Sequence, residues 1–89
     1  MAERSVRIEN RNGVHARPAA EIVKLAARFK SDITIVRDEL EVNGKSIMGV
    51  MMLAAGKGHE VVLEAEGSDE AEAIAALVAL IEDKFGEGE

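Results

Sequence analysis

The spacing of apolar residues changes repeatedly along this 89-residue chain, and this constrains the fold more than any other feature. In residues 4–9 the apolar Val6 and Ile8 alternate with the charged Arg7 and Glu9, a pattern typical of a half-buried strand. Between Ala16 and about Phe29, apolar residues recur every three or four positions. That spacing predicts an amphipathic helix, entered through Pro18 in its first turn. The chain therefore combines strands with helices.

Three further segments have the composition of strands. A β-branched run over residues 33–36 and an alternating segment over residues 40–43 predict a hairpin that reverses at residues 38–39. Residues 60–66 alternate apolar with acidic side chains, although Val62 interrupts the pattern. They predict a fourth strand.

Two more helices are predicted beyond the first. Ser46 lies where its hydroxyl can accept a hydrogen bond from free amides at the start of a short apolar helix, about residues 47–53. Asp69 and Glu72 have the spacing of a capping box at the start of a last helix, which Gly86 ends. The buried stripe of that helix is expected to consist of Ile74, Leu77, Val78, Ile81 and Phe85.

The element order βαββαβα predicts an α+β fold of the open-faced β-sandwich type, with one four-stranded antiparallel sheet and three helices on one face. At 89 residues we expect a single domain over residues 1–89. The absence of cysteine excludes disulfides and thiolate metal sites. Two histidines are too few to indicate a zinc site, so we expect neither metal nor cofactor.

The overall charge and hydropathy narrow the classes of function. Apolar runs fall short of the roughly 18–20 residues that a membrane span needs, and the first residues lack the apolar stretch of a signal peptide. We therefore expect a cytoplasmic protein without membrane insertion. A net charge of −6 argues against direct nucleic-acid binding.

The charge is unevenly distributed along the chain. Residues 1–30 carry seven basic and three acidic side chains, whereas residues 60–89 carry one basic and ten acidic. Chance clustering on a solvated surface explains this distribution most simply. The alternative is that the cationic region docks an acidic partner.

The segment NGVHARP, residues 12–18, is the most informative for function. His15 lies at the predicted start of the first helix, and Arg17 follows two residues later. Unpaired amides and the positive end of the helix dipole would stabilise negative charge on His15, and the Arg17 guanidinium could bind it bidentately. Because an unprotonated imidazole is a nucleophile near neutral pH, these residues favour phosphoryl transfer. A lone histidine at a helix start is more often a surface or capping residue, so both interpretations stay open on these residues alone.

The sequence NGVHARPA and the segment KSIMGVM, residues 45–51, together closely resemble the HPr family. These are the histidine-containing phosphocarrier proteins of the bacterial phosphoenolpyruvate-dependent phosphotransferase system. The resemblance covers the whole chain in length, element order and both motifs. It implies that His15 accepts a phosphoryl group at Nδ1 from enzyme I and passes it to an EIIA domain during sugar transport. The protein would then be a phosphoryl carrier and not an independently acting enzyme.

The resemblance also implies roles for individual residues. Arg17 would neutralise charge during transfer, while Asn12 and the helix start at Ala16 and Pro18 would orient the ring or the phosphoryl group. Ser46 matches a serine that an ATP-dependent HPr kinase/phosphorylase modifies in many Gram-positive and some other bacteria to regulate carbon use. A catabolite-control transcription regulator is then a further expected partner. The competing interpretation of Ser46 is a plain helix cap.

The family's shared docking surface would combine apolar and cationic residues of this chain. Ile47, Met48 and Met51 lie at helical spacing and so could belong to the core, but a short helix cannot bury every apolar side chain, so we expect them to be exposed. In the family these positions form the apolar patch of the docking surface. Its cationic rim, facing acidic surfaces of enzyme I and EIIA, would consist of Arg17, Lys24 and Arg28.

Other interpretations remain open within this resemblance. Met52 stands where many members have a small polar residue, so the choice between sugar-branch and nitrogen-branch partners is open. A regulatory binding module acting through Ser46 is the alternative from a different class. A catabolite-repression paralogue that lacks the histidine is a poorer match, because His15 is present. His59 matches no site position and is expected to be structural.

Overall fold

Strands and helices follow one another in the predicted order in a computed structural model that describes residues 1–9, 16–53 and 58–83. The strands are β1 (Ala2–Arg7), β2 (Asp32–Arg37), β3 (Leu40–Asn43) and β4 (Glu60–Glu66). The helices are α1 (Ala16–Ala26), α2 (Ile47–Met52) and α3 (Glu70–Glu82). Strand β1 begins two residues earlier than expected because its pairing with β4 extends to Ala2.

The four strands form one antiparallel sheet in the order β1-β4-β2-β3. Strand β4 lies between β1 and β2, so Val6 pairs with Val61 and Ile35 pairs with Leu63. Because residues directly opposite each other share a face, these buried side chains point to the same side of the sheet. The three helices cover that side, which confirms the predicted open-faced β-sandwich.

The hydrophobic core lies between the sheet and the helices. Leu63 of β4 and Leu77 of α3 are both fully buried. The predicted stripe of α3 is confirmed for Ile74, Leu77, Val78 and Ile81, all of which are buried. Its expected last member, Phe85, and the expected helix end at Gly86 lie outside the described residues.

The β2–β3 hairpin reverses at Asp38 and Glu39, as predicted. Asp38 has a φ of 55°, a left-handed conformation that aspartate tolerates better than most residues. After β3 the chain passes very close to β2 at Gly44. A Cβ there would lie 2.6 Å from Cγ2 of Ile33, so this approach needs a glycine.

Asp69 is the N-cap residue of α3, but the predicted capping box with Glu72 is wrong. The Asp69 carboxylate makes no hydrogen bond to the amides of α3. It accepts instead from the amides of Lys30, at 2.8 Å, and Ser31, at 3.0 Å, and from the Ser31 hydroxyl. These bonds, led by that of the Ser31 hydroxyl, hold the pKa of Asp69 below its usual value.

Helix α1 ends at Ala26, three residues before the expected Phe29. The Phe29 amide bonds to the Ala26 carbonyl, a tighter spacing than that of an α-helix. The Phe29 carbonyl accepts from Nζ of Lys45 at 2.8 Å, and Asp69 binds the next two amides. The segment that follows α1 is therefore held by Lys45, which precedes α2, and by Asp69, which precedes α3.

Candidate functional site

The start of α1 is well suited to an anion. The helix begins at Ala16, so His15 immediately precedes it in the sequence, as predicted. Its first turn contains no acidic residue, so no carboxylate of the turn offsets the positive end of the helix dipole. Pro18 is buried in this turn, where its missing N–H costs no helical hydrogen bond. The predicted site residues His15 and Asn12 themselves lie outside the described residues.

Arg17 lies exposed in the first turn of α1. The ion pairs in the described part of the chain join the Met1 amine to Glu70 and Arg7 to Glu9, and neither includes Arg17. No described carboxylate therefore holds the guanidinium, which leaves it available for an anion from outside those residues.

Helix α2 exposes an apolar surface, which we call the α2 patch and define as Ile47, Met48, Met51 and Met52. Their exposed fractions are 43%, 70%, 44% and 65%, respectively. The buried residue of this helix is Val50, which joins the core. Since a six-residue helix packs only one side on the core, the remaining apolar side chains face solvent. The expected exposure of Ile47, Met48 and Met51 is confirmed, and Met52 enlarges the patch.

Ser46 is the N-cap residue of α2, as predicted. Its Oγ accepts a hydrogen bond of 3.1 Å from the amide of Gly49, and its backbone is extended, as an N-cap requires. Gly49 lets α2 lie close to β3, because a Cβ there would lie 3.3 Å from Cβ of Val42. The hydroxyl is thus partly buried at the edge of the α2 patch.

Two basic residues with no role predicted from the sequence help to position α2. Nζ of Lys45 donates to the Phe29 carbonyl just after α1, and Nη1 of Arg37 donates to the Leu53 carbonyl at the end of α2, at 3.0 Å. A cation near a helix end is a signal for such capping, but the sequence does not show which carbonyl it reaches.

The other two residues of the predicted rim, Lys24 on α1 and Arg28 just after it, lie next to α3. Lys24 and Arg28 line a shallow groove together with Leu80 of α3, and Glu21 lies in the same groove. The structure therefore brings Lys24 and Arg28 together, with one carboxylate in their groove. Arg28 lies two residues beyond the end of α1.

His59 lies apart from these elements, just before β4. Its backbone carbonyl accepts from the Ile8 amide at 2.8 Å, in keeping with the expected structural role. Within residues 1–9, 16–53 and 58–83, no group of three His, Cys, Asp or Glu side chains could hold a metal ion. None of the helices described has the length and apolar character needed to cross a membrane.

Comparison with known proteins settles the family. A profile described as the PTS HPr component phosphorylation site matches residues 2–83. The chain belongs to the HPr family. It is 55% identical to the phosphocarrier protein HPr of Treponema pallidum over 87 residues, covering 98% of this chain and 99% of that protein. The two sequence motifs predicted a phosphocarrier of the phosphotransferase system. The comparisons confirm that prediction for the family.

Solved HPr structures have the same fold. A crystal structure of HPr-C-His from Thermoanaerobacter tengcongensis superposes with a TM-score of 0.94 at 54% identity, covering 98% of both chains. A further relative is the HPr-like protein Crh of Halalkalibacterium halodurans. That protein is 50% identical over 82 residues, covering 92% of this chain and 98% of its own.

Proposed function

We propose that this HPr-family chain accepts a phosphoryl group on His15 from phosphorylated enzyme I and passes it to an EIIA domain. The observation that carries the proposal is that His15 directly precedes α1, whose first turn has no carboxylate, in a chain that matches the phosphorylation-site profile. The second histidine, His59, precedes a strand and has no such helix end beside it in the sequence. The two histidines are therefore not equivalent.

The transfer step needs a nucleophile and a place for negative charge. The unprotonated Nδ1 of His15 attacks phosphorus, and the bond from phosphorus to the donor breaks as the new N–P bond forms. The charge on the phosphoryl oxygens is met by the free amides at the start of α1 and by the Arg17 guanidinium. In this proposal Asn12, the Ala16 amide and the helix entrance fixed by Pro18 orient the ring or the phosphoryl group.

The α2 patch is the proposed docking surface for enzyme I and EIIA. Among the described residues, six large apolar side chains are exposed, and four of them belong to this one short helix. Such a concentration marks an interaction site more often than chance exposure. Arg17 and Lys24 on α1, with Arg28 just after it, would meet acidic groups at the edge of each partner and speed their encounter. A carrier binds its partners transiently, which a patch of this modest size suits.

The proposal is tested by incubation with phosphoenolpyruvate, magnesium and a bacterial enzyme I, followed by intact-protein mass measurement. We expect one added phosphoryl group on the unchanged chain and on His59→Ala, lost on acid treatment, and none on His15→Ala. Phosphorylation of His15→Ala to the same extent would contradict the proposal. The HPr that belongs to the chosen enzyme I serves as a positive control for the activity of that enzyme. Adding EIIA domains from the sugar and nitrogen branches to the phosphorylated chain then shows which branch it serves.

A second, regulatory function at Ser46 is favoured by the position of its hydroxyl at the edge of the α2 patch. It is also favoured by the similarity of the chain to Crh of Bacillus subtilis, which is described as a catabolite repression HPr. Phosphorylation by an HPr kinase/phosphorylase would add up to about two negative charges beside Ile47. Enzyme I would then dock more weakly, and a catabolite-control transcription regulator could bind the new phosphate.

The matched pair Ser46→Asp and Ser46→Asn tests this regulatory role. Both side chains can cap α2, but only aspartate adds charge. We expect Ser46→Asp to raise the KM of enzyme I for the carrier at least severalfold, with Ser46→Asn close to the unchanged chain. Equal KM values for the two variants would refute a charge-based mechanism.

A further inference from the structure

The α2 patch contains three of the four methionines of this chain, Met48, Met51 and Met52. Their spacings of three and four residues place them on one side of α2. All three side chains are exposed to solvent. The chain has no cysteine, so methionine is the only type of sulfur available to an oxidant. Oxidisable sulfur is therefore concentrated on the proposed docking surface.

We propose that these three methionines form a reversible oxidation site that controls docking. A peroxide converts each thioether to a sulfoxide: the peroxide O–O bond breaks, an S–O bond forms, sulfur loses two electrons and the peroxide is reduced to water. Methionine sulfoxide reductases reverse the change, with thiols that are oxidised to a disulfide as the electron source. The effect on docking rests on the proposed function, whereas the oxidation itself does not.

The fold tolerates this modification because none of the three side chains belongs to the core. Two fully buried residues attach this segment to the core: Val50 within α2, and Leu53 directly after the end of α2. Its ends are held by the Ser46 cap and by the bond from Arg37 to the Leu53 carbonyl. A sulfoxide on the α2 patch would remain in water, so the melting temperature is expected to stay unchanged.

Docking responds differently, because a partner removes water from the α2 patch. A sulfoxide is polar, and burying it without a hydrogen-bond donor is costly. Since the three methionines lie on one side of the helix, a partner that covers this surface meets at least one of them. We expect the KM of enzyme I for the carrier to rise about tenfold, which corresponds to about 1.4 kcal/mol. The maximal rate should not change, because the proposed transfer residues His15 and Arg17 are not methionines.

The test compares the unchanged chain with a variant carrying Met48→Leu, Met51→Leu and Met52→Leu. Leucine keeps a similar apolar volume and cannot form a sulfoxide. The variant retains Met1, which is 72% exposed and reports oxidation outside the α2 patch. Both proteins are treated with dilute hydrogen peroxide, mapped by mass spectrometry of proteolytic fragments, assayed with enzyme I, and then treated with the reductases and a dithiol.

The expected result is one added oxygen atom per methionine, a raised KM only for the unchanged chain, and recovery after reduction. For the leucine variant, the KM before and after peroxide should be the same, whatever its starting value. The proposal is overturned if Met1 is oxidised while the α2 methionines are not, or if their oxidation leaves KM unchanged. If the untreated chain accepts no phosphoryl group, the proposed function fails, and the docking consequence is overturned with it.

Discussion

Truncation of Met48 and Met51 should weaken docking in proportion to how far each side chain is exposed before a partner binds. Full burial of a methionine side chain contributes about 1.5–3 kcal/mol. Met48 is 70% exposed and Met51 is 44% exposed. If a partner buries the exposed part, Met48 contributes about 1–2 kcal/mol and Met51 about 0.7–1.3 kcal/mol. Met48→Ala should therefore raise KM about 5- to 30-fold, and Met51→Ala about 3- to 9-fold.

The assay is the initial rate of phosphorylation by enzyme I at increasing carrier concentration, with the maximal rate reported separately from KM. Val62→Ala is the matched control, because Val62 lies between the buried residues Val61 and Leu63 and so faces away from the helices. It should leave KM unchanged. Equal effects of Met48→Ala and Val62→Ala, or a larger effect for Met51 than for Met48, would refute the reasoning from exposure.

Three further predictions concern the transfer site and the packing of the loops. Arg17→Ala should lower the maximal rate of phosphoryl transfer about 10- to 100-fold, the equivalent of one lost charge-assisted hydrogen bond, in single-turnover assays. Gly67→Ala should destabilise the fold by about 1–3 kcal/mol or more in urea denaturation. The reasons are the φ of 153° at Gly67 and a Cβ that would lie 2.7 Å from Cα of Ser31. Because the pKa of Asp69 is lowered, its carboxylate stabilises the fold above the unfolded-state pKa, and this is lost as pH falls below about 4. Asp69→Asn should therefore flatten the fall in stability with decreasing pH, and an unchanged slope would contradict the assignment.

Local residue patterns were sufficient to predict the order of the elements. The alternation in residues 60–66 and the repeat in residues 74–81 are both set by which side of one element faces the core. The end of α1 was not predictable in this way. It depends on Asp69, which binds the amide of Lys30 across 39 residues of sequence. The same long-range bonds make the predicted capping box wrong, because the carboxylate is already occupied.

The candidate site was predictable to a similar extent. A six-residue apolar helix cannot bury all its sides, so the exposure of Met48 followed from the length of α2. The bonds of Lys45 and Arg37 to distant carbonyls did not follow, since a long flexible side chain can reach many acceptors. The roles of His15 and Asn12 remain predictions, because both lie outside the described residues.

The central claim is that His15, and not His59, carries the phosphoryl group. Long-range proton–nitrogen NMR spectra of the two imidazole rings, recorded before and after reaction with enzyme I and phosphoenolpyruvate, test this claim most directly. We expect the Nδ1 resonance of His15 to shift on phosphorylation while both ring nitrogens of His59 keep their positions. A phosphorylation-dependent shift at His59, or a phosphorylated protein in which neither ring changes, would contradict the account.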